Sequence, residues 1–270
     1  MVFDPFGDAA TRGYLRNFAG ASDPETVKRL EHRAFKENVG AALAELSRAK
    51  RLTYDDVLQT HKILFGGFYP WAGEDRTQHA PNIAIAKAGR SDLFAHPRDV
   101  RAAVEYALKD GQNKELMARR PGEVMGTLAF AHPFLDGNGR ALMVVHTELA
   151  HRAGISIDWQ KTNKADYLAA LTRELDEPGK GHLDAYLRPF IQKVADRETQ
   201  VATLEELPGL GPRRPDAQAS SSSQHPQPIG EGASQSPVSD VKRDASGGSP
   251  TESENAKAEG DKPKPRGQRM

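Results

Sequence analysis

The sequence contains no cysteine. The chain therefore forms no disulfide, has no thiolate nucleophile and offers no cysteine ligand to zinc. Any metal that it binds must be held by oxygen or imidazole groups. The absence of cysteine agrees with a reducing compartment.

An excess of charge of either sign is also missing, because 37 Lys and Arg residues balance 37 Asp and Glu residues. This balance gives no reason to expect a nucleic acid or an anionic membrane as a partner. No apolar run approaches the ~20 residues that span a bilayer, and the first residues do not resemble a signal peptide. We expect a soluble cytoplasmic protein, with non-classical secretion as an effector left open.

Aromatic residues are absent after Phe190, and from Pro208 onward the sequence is rich in Ser, Pro and Gly. Such a segment cannot bury enough apolar surface to offset the entropy lost on ordering. We predict one folded domain over residues 1–207 and a disordered tail over residues 208–270.

The folded part is dominated by apolar residues at helical spacing. This pattern predicts helices in six stretches, which are Pro24 to about Lys50, Thr53 to Leu64, Pro97 to Leu108, Pro121 towards His132, the residues after Gly139, and Gly181 to Glu206. Alternating apolar residues with a central glycine predict a short β-hairpin over 80–97 instead. The predicted fold is mainly α with this one small hairpin.

The stretch "HPFLDGNGRALM" begins at His132 and holds most of the candidate functional residues. Pro133 disfavours helical geometry at His132, so the imidazole is expected at a helix end beside a loop. There it can remove a proton from an incoming hydroxyl, since a histidine ordinarily titrates near pH ~6.5.

Two glycines, Gly137 and Gly139, flank Asn138 in the same stretch. This spacing lets the backbone N–H groups turn inward as an anion-binding nest at the start of the next helix. Arg140 can direct its guanidinium at the same anion, and Asp136 offers a hard oxygen to Mg²⁺ that bridges phosphates. A base, a metal ligand and an anion nest together predict phosphoryl or nucleotidyl transfer.

"HPFLDGNGR" resembles the signature of Fic-domain proteins, His-x-Phe-x-(Asp/Glu)-Gly-Asn-Gly-Arg-x-x-Arg, at every defined position from His132 to Arg140. The stretches "GYLRN" and "LFGGFYPWAGEDRT" and the predicted hairpin are similar to further parts of that family, so the resemblance covers about residues 10 to 190.

The resemblance implies a mainly helical protein adenylyltransferase that moves AMP from Mg-ATP onto a Ser, Thr or Tyr hydroxyl of a target protein. It implies that His132 is the general base and that Asp136 holds Mg²⁺. The residues implied to cradle the phosphates are Gly137, Asn138, Gly139 and Arg140. Residues 82–94 would form a flap that pairs with the target, within which Lys87 could touch target or nucleotide; a solvated turn lysine is an equally good interpretation.

The last arginine of the signature is replaced by Met143. An arginine there would share a helix face with Arg140 and lean over the terminal phosphates. The absence of this arginine predicts weaker binding of the γ-phosphate, or use of a different donor. Met143→Arg should then strengthen ATP binding, whereas it should lower stability if Met143 packs in the core. Transfer of another group from a different donor and a non-catalytic interaction module therefore stay open as alternatives.

In many Fic proteins the same arginine pairs with a glutamate of an inhibitory helix, (Ser/Thr)-x-x-x-Glu-(Gly/Asn). The nearest trace here is Glu37-Asn38, with Arg33 where Ser or Thr is expected. We interpret Glu37 as an ordinary helix residue, which leaves control by a small antitoxin-like protein in trans as a further possibility.

Overall fold

The protein is described from a computed structural model that covers residues 3–7, 9–85 and 90–207. The predicted tail, 208–270, lies outside these residues, and so does Lys87. Within the described part the predicted mainly helical fold is confirmed. The α-helices are α1 Ala9–Arg12, α2 Pro24–Arg48, α3 Tyr54–Phe65, α4 Val100–Gly111, α5 Lys114–Arg119, α6 Pro121–Ala131, α7 Asn138–Arg152, α8 Lys164–Asp176, α9 His182–Leu187 and α10 Arg197–Glu205.

Local sequence explains where the two long N-terminal helices begin. The Asp23 side chain accepts a hydrogen bond from the Thr26 backbone N–H, and Pro24 follows at the first helical position, so α2 is capped by residues next to it in the sequence. Thr53 and Asp56 form a capping box at the start of α3. Both helices therefore start within a residue of the predicted positions.

The central helix is α7, which packs against α2, α3 and α6. Its buried residues run all round the helix from Asn138 to Ala150, so it has no solvent-facing stripe. At its C-terminal end, the Arg152 guanidinium donates to the carbonyls of Leu46 at 2.8 Å and Ala49 at 2.7 Å, at the end of α2. The N-terminus of α7, where the motif lies, is thus the start of a rigid central element.

The small sheet is not where the sequence placed it. Strands β1 Ile155–Ile157 and β2 Ile191–Lys193 pair antiparallel, with Ile155 opposite Lys193. Strands of three residues are too short to show a period of two, and β2 interrupts the stretch 181–206 that the periodicity assigned to helix. Pro189, which has no N–H to donate, lies in the 3₁₀ turn Arg188–Phe190 that ends this helical stretch.

The predicted hairpin over 80–97 is not confirmed as paired strands in its described residues. Ile83–Ile85 and residues 91–95 form no strand, Arg90 makes a single bridge, and residues 86–89 lie outside the described part. The two sides still meet, because Ile85, Leu93 and Phe94 form a small buried cluster. Packing of these apolar side chains accounts for the alternation that predicted strands.

Among the described helices, none combines the length and the apolar composition that would be needed to cross a membrane.

Candidate active site

His132 follows the last residue of α6 and takes a left-handed backbone conformation, with φ 42° and ψ 60°. It is the one non-glycine residue with positive φ in the described part of the chain. Such a conformation is strained for an L residue and persists only where surrounding contacts hold it. His132 is 4% exposed, at the helix end that the sequence predicts.

The His132 end of the motif loop is held by Arg76. The Arg76 Nε donates to the His132 carbonyl at 2.8 Å, and the Arg76 backbone N–H donates to the Pro133 carbonyl at 2.7 Å. These two bonds fix both carbonyls at the turn where the chain leaves α6, and so they support the left-handed conformation.

His61, on α3, holds the other end of the loop. Its Nδ1 accepts from the Gly73 backbone N–H at 3.0 Å, so Nε2 must carry the proton that is donated to the Asp136 carbonyl, also at 3.0 Å. The ring stacks on Phe134 with a centroid distance of 3.9 Å. Burial lowers the pKa of His61 to about 3, which keeps this neutral tautomer at physiological pH.

Acid should therefore weaken the fold. His61 and His146 have folded-state pKa values lowered by burial to about 3 and about 4. Between those values and the ordinary 6.5, the unfolded chain binds more protons than the folded chain, so stability falls as the pH drops below 6.5. Each histidine should contribute a loss of ~1.4 kcal/mol per pH unit. Urea unfolding at pH 7.5 and pH 5 measures it.

A matched variant isolates the His61 part of this effect. His61→Gln has no titratable ring, so its stability should fall less than that of the wild type over the same pH range. The comparison with the wild type is needed because burial raises the pKa of Glu31 to about 7. Protonation of Glu31 therefore stabilises the folded chain as the pH falls and offsets part of the loss caused by the histidines. Identical pH slopes for the two proteins would contradict the assignment of His61 as a buried neutral ring.

Asn138 locks the middle of the loop. Its Oδ1 accepts from the Phe134 backbone N–H and its Nδ2 donates to the Phe134 carbonyl, both at 2.8 Å. Asn138 is 5% exposed, and both polar atoms of its side chain take part in this pair. The backbone N–H of Asn138, at the first helical position of α7, has no intrahelical acceptor and can donate to an anion.

The two glycines of the motif face different surroundings. Gly137 has φ 75°, and an added Cβ would lie 2.7 Å from the Phe65 ring and 3.2 Å from His61 Nε2. Gly139 is exposed, with no atom within 4 Å of an added Cβ. The first glycine is required by the fold of the loop, whereas the second borders open space at the helix N-terminus.

Substitution of these glycines by alanine should separate the two roles. Gly137→Ala should lower the free energy of unfolding by at least ~1–2 kcal/mol, because alanine is strained in the left-handed conformation. The clash with Phe65 adds to this loss, and the distorted loop should also slow nucleotide transfer. Gly139→Ala should leave stability unchanged or slightly improved, because alanine is the better helix former. Thermal melts of both variants measure this difference. Equal loss of stability in both would refute it.

Arg140 does not point freely into the loop. Its Nη2 lies 2.5 Å from Glu31 Oε2 in an ion pair whose side chains are 15% and 6% exposed, and its guanidinium lies 5.1 Å from the centre of the Phe65 ring. Asp136 is also close enough for its charge to interact with Arg140. Burial raises the pKa of Asp136, an effect that the positive charge of Arg140 opposes.

Met143 is 8% exposed and belongs to the main hydrophobic core. The structure therefore favours core packing over a place above the terminal phosphates, and use of a different donor stays an alternative that rests only on the missing arginine. Met143→Arg should lower the free energy of unfolding by ~2 kcal/mol. The loss is moderate because the long arginine side chain can extend its charged end to the nearby surface. Thermal melts should show a lower Tm, whereas Met143→Leu should melt close to the wild type.

The C-terminal side of residues 82–94 contacts His132 directly through Phe94. The Phe94 ring lies edge-on to the imidazole, with centroids 4.7 Å apart. The Ala95 backbone N–H donates to the Phe130 carbonyl in the last turn of α6 at 2.8 Å. This segment therefore borders the candidate base, while Lys87, which the sequence allows either to contact target or nucleotide or to be a solvated turn lysine, lies outside the described residues.

Sequence reasoning missed three residues that build the site: His61, Arg76 and Glu31. A signal for Glu31 was present, since it falls between Val27 and Phe35 at steps of four on the buried face of α2. Glu37, by contrast, is exposed and pairs with Arg33 at 2.7 Å, as expected of an ordinary helix residue. His61 likewise falls between Val57 and Phe65 at steps of four on the buried face of α3, whereas no periodic pattern points to Arg76.

Comparison with known proteins places the motif in a family. Residues 51–150 match the family model of the Fic/DOC family. Residues 51–150 thus carry a Fic/DOC domain. Of similar proteins, protein adenylyltransferase VbhT of Bartonella schoenbuchensis is 31% identical over 169 residues, 62% of this chain and 35% of that protein. A probable protein adenylyltransferase y4lH of Sinorhizobium fredii is 27% identical, over 59% of this chain and 82% of that protein.

The chain thus spans about a third of the length of the first relative and four fifths of the second. The N-terminal Fic domain of a putative cell filamentation protein from Bartonella quintana matches with a TM-score of 0.55 and 18% identity, over 71% of this chain and 93% of that one. Its ADP-bound form matches with a TM-score of 0.56 and 19% identity, over 70% and 95%. At this identity the two structures support the fold alone.

Proposed function

We propose that this chain transfers AMP from Mg-ATP to a Ser, Thr or Tyr hydroxyl of a target protein. The observation that carries the proposal is the loop that joins α6 to α7. Side chains from three directions hold this loop: Arg76 binds the carbonyl of His132, which has a strained conformation, His61 binds the carbonyl of Asp136, and Asn138 binds the backbone of Phe134 beside the N-terminus of the central helix. Strain held in this way is typical of functional sites.

In the proposed reaction His132 takes the proton of the target hydroxyl. The hydroxyl oxygen forms a bond to the α-phosphorus, the bond between that phosphorus and the oxygen bridging to the β-phosphate breaks, and pyrophosphate leaves. Backbone N–H groups of Asn138, Gly139 and Arg140 lie in the first turn of α7, where helices bind phosphate. They would bind the phosphates at the exposed Gly139.

The donor set near the loop fits Mg²⁺. Asp136 is partly exposed, and its Oδ1 accepts from the Gly137 N–H at 2.7 Å, which leaves Oδ2 for a cation. Mg²⁺ in proteins is commonly held by one or two carboxylates together with substrate phosphates, and when bound it offsets the phosphate charge. Asp136 would therefore hold it, with the nucleotide supplying the other ligands.

The relatives support the same chemistry. Two similar proteins carry the name protein adenylyltransferase or probable protein adenylyltransferase. One structural neighbour was solved with ADP and another, BepC of Bartonella tribocorum, with AMPPNP. The target would dock along residues 82–94, whose described part contacts His132. Inhibition in trans by a small antitoxin-like protein remains a separate proposal.

The position of the label tests the reaction. Purified full-length protein is incubated with Mg²⁺ and a cell lysate, and with ATP labelled at either the α- or the γ-phosphate. If AMP is transferred, a protein band is labelled from α-labelled ATP and not from γ-labelled ATP. The intact mass of the labelled target protein should rise by the mass of one AMP group. Label from γ-labelled ATP would indicate phosphoryl transfer instead. No label from either, with nucleotide binding retained, would favour the non-catalytic module.

A further inference from the structure

Arg76 is a charged residue with no accessible surface. It follows α3 by a short loop, and its side chain is 0% exposed. Its guanidinium makes three hydrogen bonds within the described part of the chain, and all three acceptors are backbone carbonyls: His132 at 2.8 Å, Ile83 at 3.3 Å and Ala95 at 2.6 Å. Burial of an arginine bound to carbonyls, without a carboxylate hydrogen-bonded to it, is costly and calls for an explanation.

The neighbouring carboxylate, that of Asp75, does not form a hydrogen bond with the Arg76 guanidinium. Asp75 accepts instead from the Tyr54 hydroxyl and from the Thr77 backbone N–H, at 2.6 Å for the latter. Its charge still interacts favourably with the neighbouring guanidinium. Asp75 thereby stabilises the turn that carries Arg76, and the planar guanidinium of Arg76 donates to the three carbonyls only.

The three carbonyls belong to the parts that a transfer reaction must align. His132 is the candidate base. Ile83 and Ala95 lie on either side of residues 86–89, within or next to residues 82–94, which we call the docking segment because the target is proposed to bind there. The Arg76 backbone N–H adds a bond to Pro133, and the Ala95 N–H binds Phe130 at the end of α6. A single planar group thus connects both sides of the docking segment to the base.

We propose that Arg76 is a positioning residue that fixes the docking segment relative to His132, so that a hydroxyl presented by the target meets the imidazole in a reactive geometry. The inference rests on the proposed function. Lysine could not replace arginine, because one ammonium group cannot reach three carbonyls in the plane that a guanidinium spans. Nucleotide binding at the N-terminus of α7 does not involve Arg76 and should be unaffected.

The test compares Arg76→Lys with Arg152→Lys. Arg152 is a matched control because its guanidinium also binds backbone carbonyls, those of Leu46 and Ala49, but at the far end of α7. Initial rates of labelling from α-labelled ATP are measured at fixed lysate concentration and varied Mg-ATP, at a temperature where circular dichroism shows both variants folded. Arg76→Lys should lower the maximum rate about 10- to 100-fold with an unchanged apparent KM for Mg-ATP. Arg152→Lys should lower the Tm and leave the maximum rate unchanged.

Several results would overturn the proposal. A folded Arg76→Lys protein with the wild-type maximum rate would do so, as would equal rate losses in both variants. If Arg76→Lys does not fold, native-state amide exchange of the wild-type protein decides. The Arg76 and Ala95 amides should open with the same free energy, and a difference above about tenfold in their protection would refute the coupling. Absence of labelling by the wild type would instead count against the proposed function, and the exchange measurement would still test Arg76.

Discussion

Replacing His132 with alanine is expected to abolish transfer of label from α-labelled ATP to protein, with a loss of about 10²- to 10⁴-fold in rate. The imidazole is the only basic ring that the described structure places at the start of the loop, and its position is held by Arg76 and bordered by Phe94. Removal of the ring leaves no group at this position to accept the proton of the target hydroxyl.

Two further variants separate chemistry from conformation. His132→Asn keeps a side chain that tolerates the left-handed region but supplies no base, so it should fold normally and be as inactive as the alanine variant. His182→Ala changes a partly exposed histidine that pairs with Glu177 at the start of α9, and it should retain full activity. Persistent labelling by folded His132→Asn would refute the assignment of the base.

Removing the carboxylate of Glu31 should destabilise the fold by ~3–5 kcal/mol, because Glu31→Leu leaves the buried guanidinium of Arg140 without its partner. Replacing both members by apolar residues removes the unpaired charge. The double variant Glu31→Leu/Arg140→Met should therefore be more stable than Glu31→Leu alone. Urea unfolding of the wild type, both single variants and the double variant completes the cycle.

The control for this cycle lies on the same helix. Glu37→Leu removes the exposed partner of Arg33 and should change stability little, because solvent screens that pair. If Glu31→Leu is no more destabilising than Glu37→Leu, the buried ion pair does not hold α2 against α7. Mg-ATP titration of the folded double variant would also show whether Arg140 contributes to nucleotide binding, since weaker binding is expected if it contacts phosphate.

Much of the local structure could be predicted because it depends on neighbours in the chain. The cap at Asp23, the capping box at Thr53, the helix end before His132 and the positive φ of Gly137 all follow from residues a few positions apart. The nine-residue signature from His132 to Arg140 likewise indicated the family without any structure.

Only the tertiary structure decided which residues hold that signature in place. His61 lies 75 positions from Asp136 and Arg76 lies 56 from His132, so no local pattern connects them. Burial also settled ambiguous positions, because it placed Met143 in the core and Arg140 against Glu31. Sequence alone determined the local conformation and the chemical groups of the loop, whereas their orientation depends on packing between helices that are distant in the chain, where desolvation makes each hydrogen bond and charge pair specific.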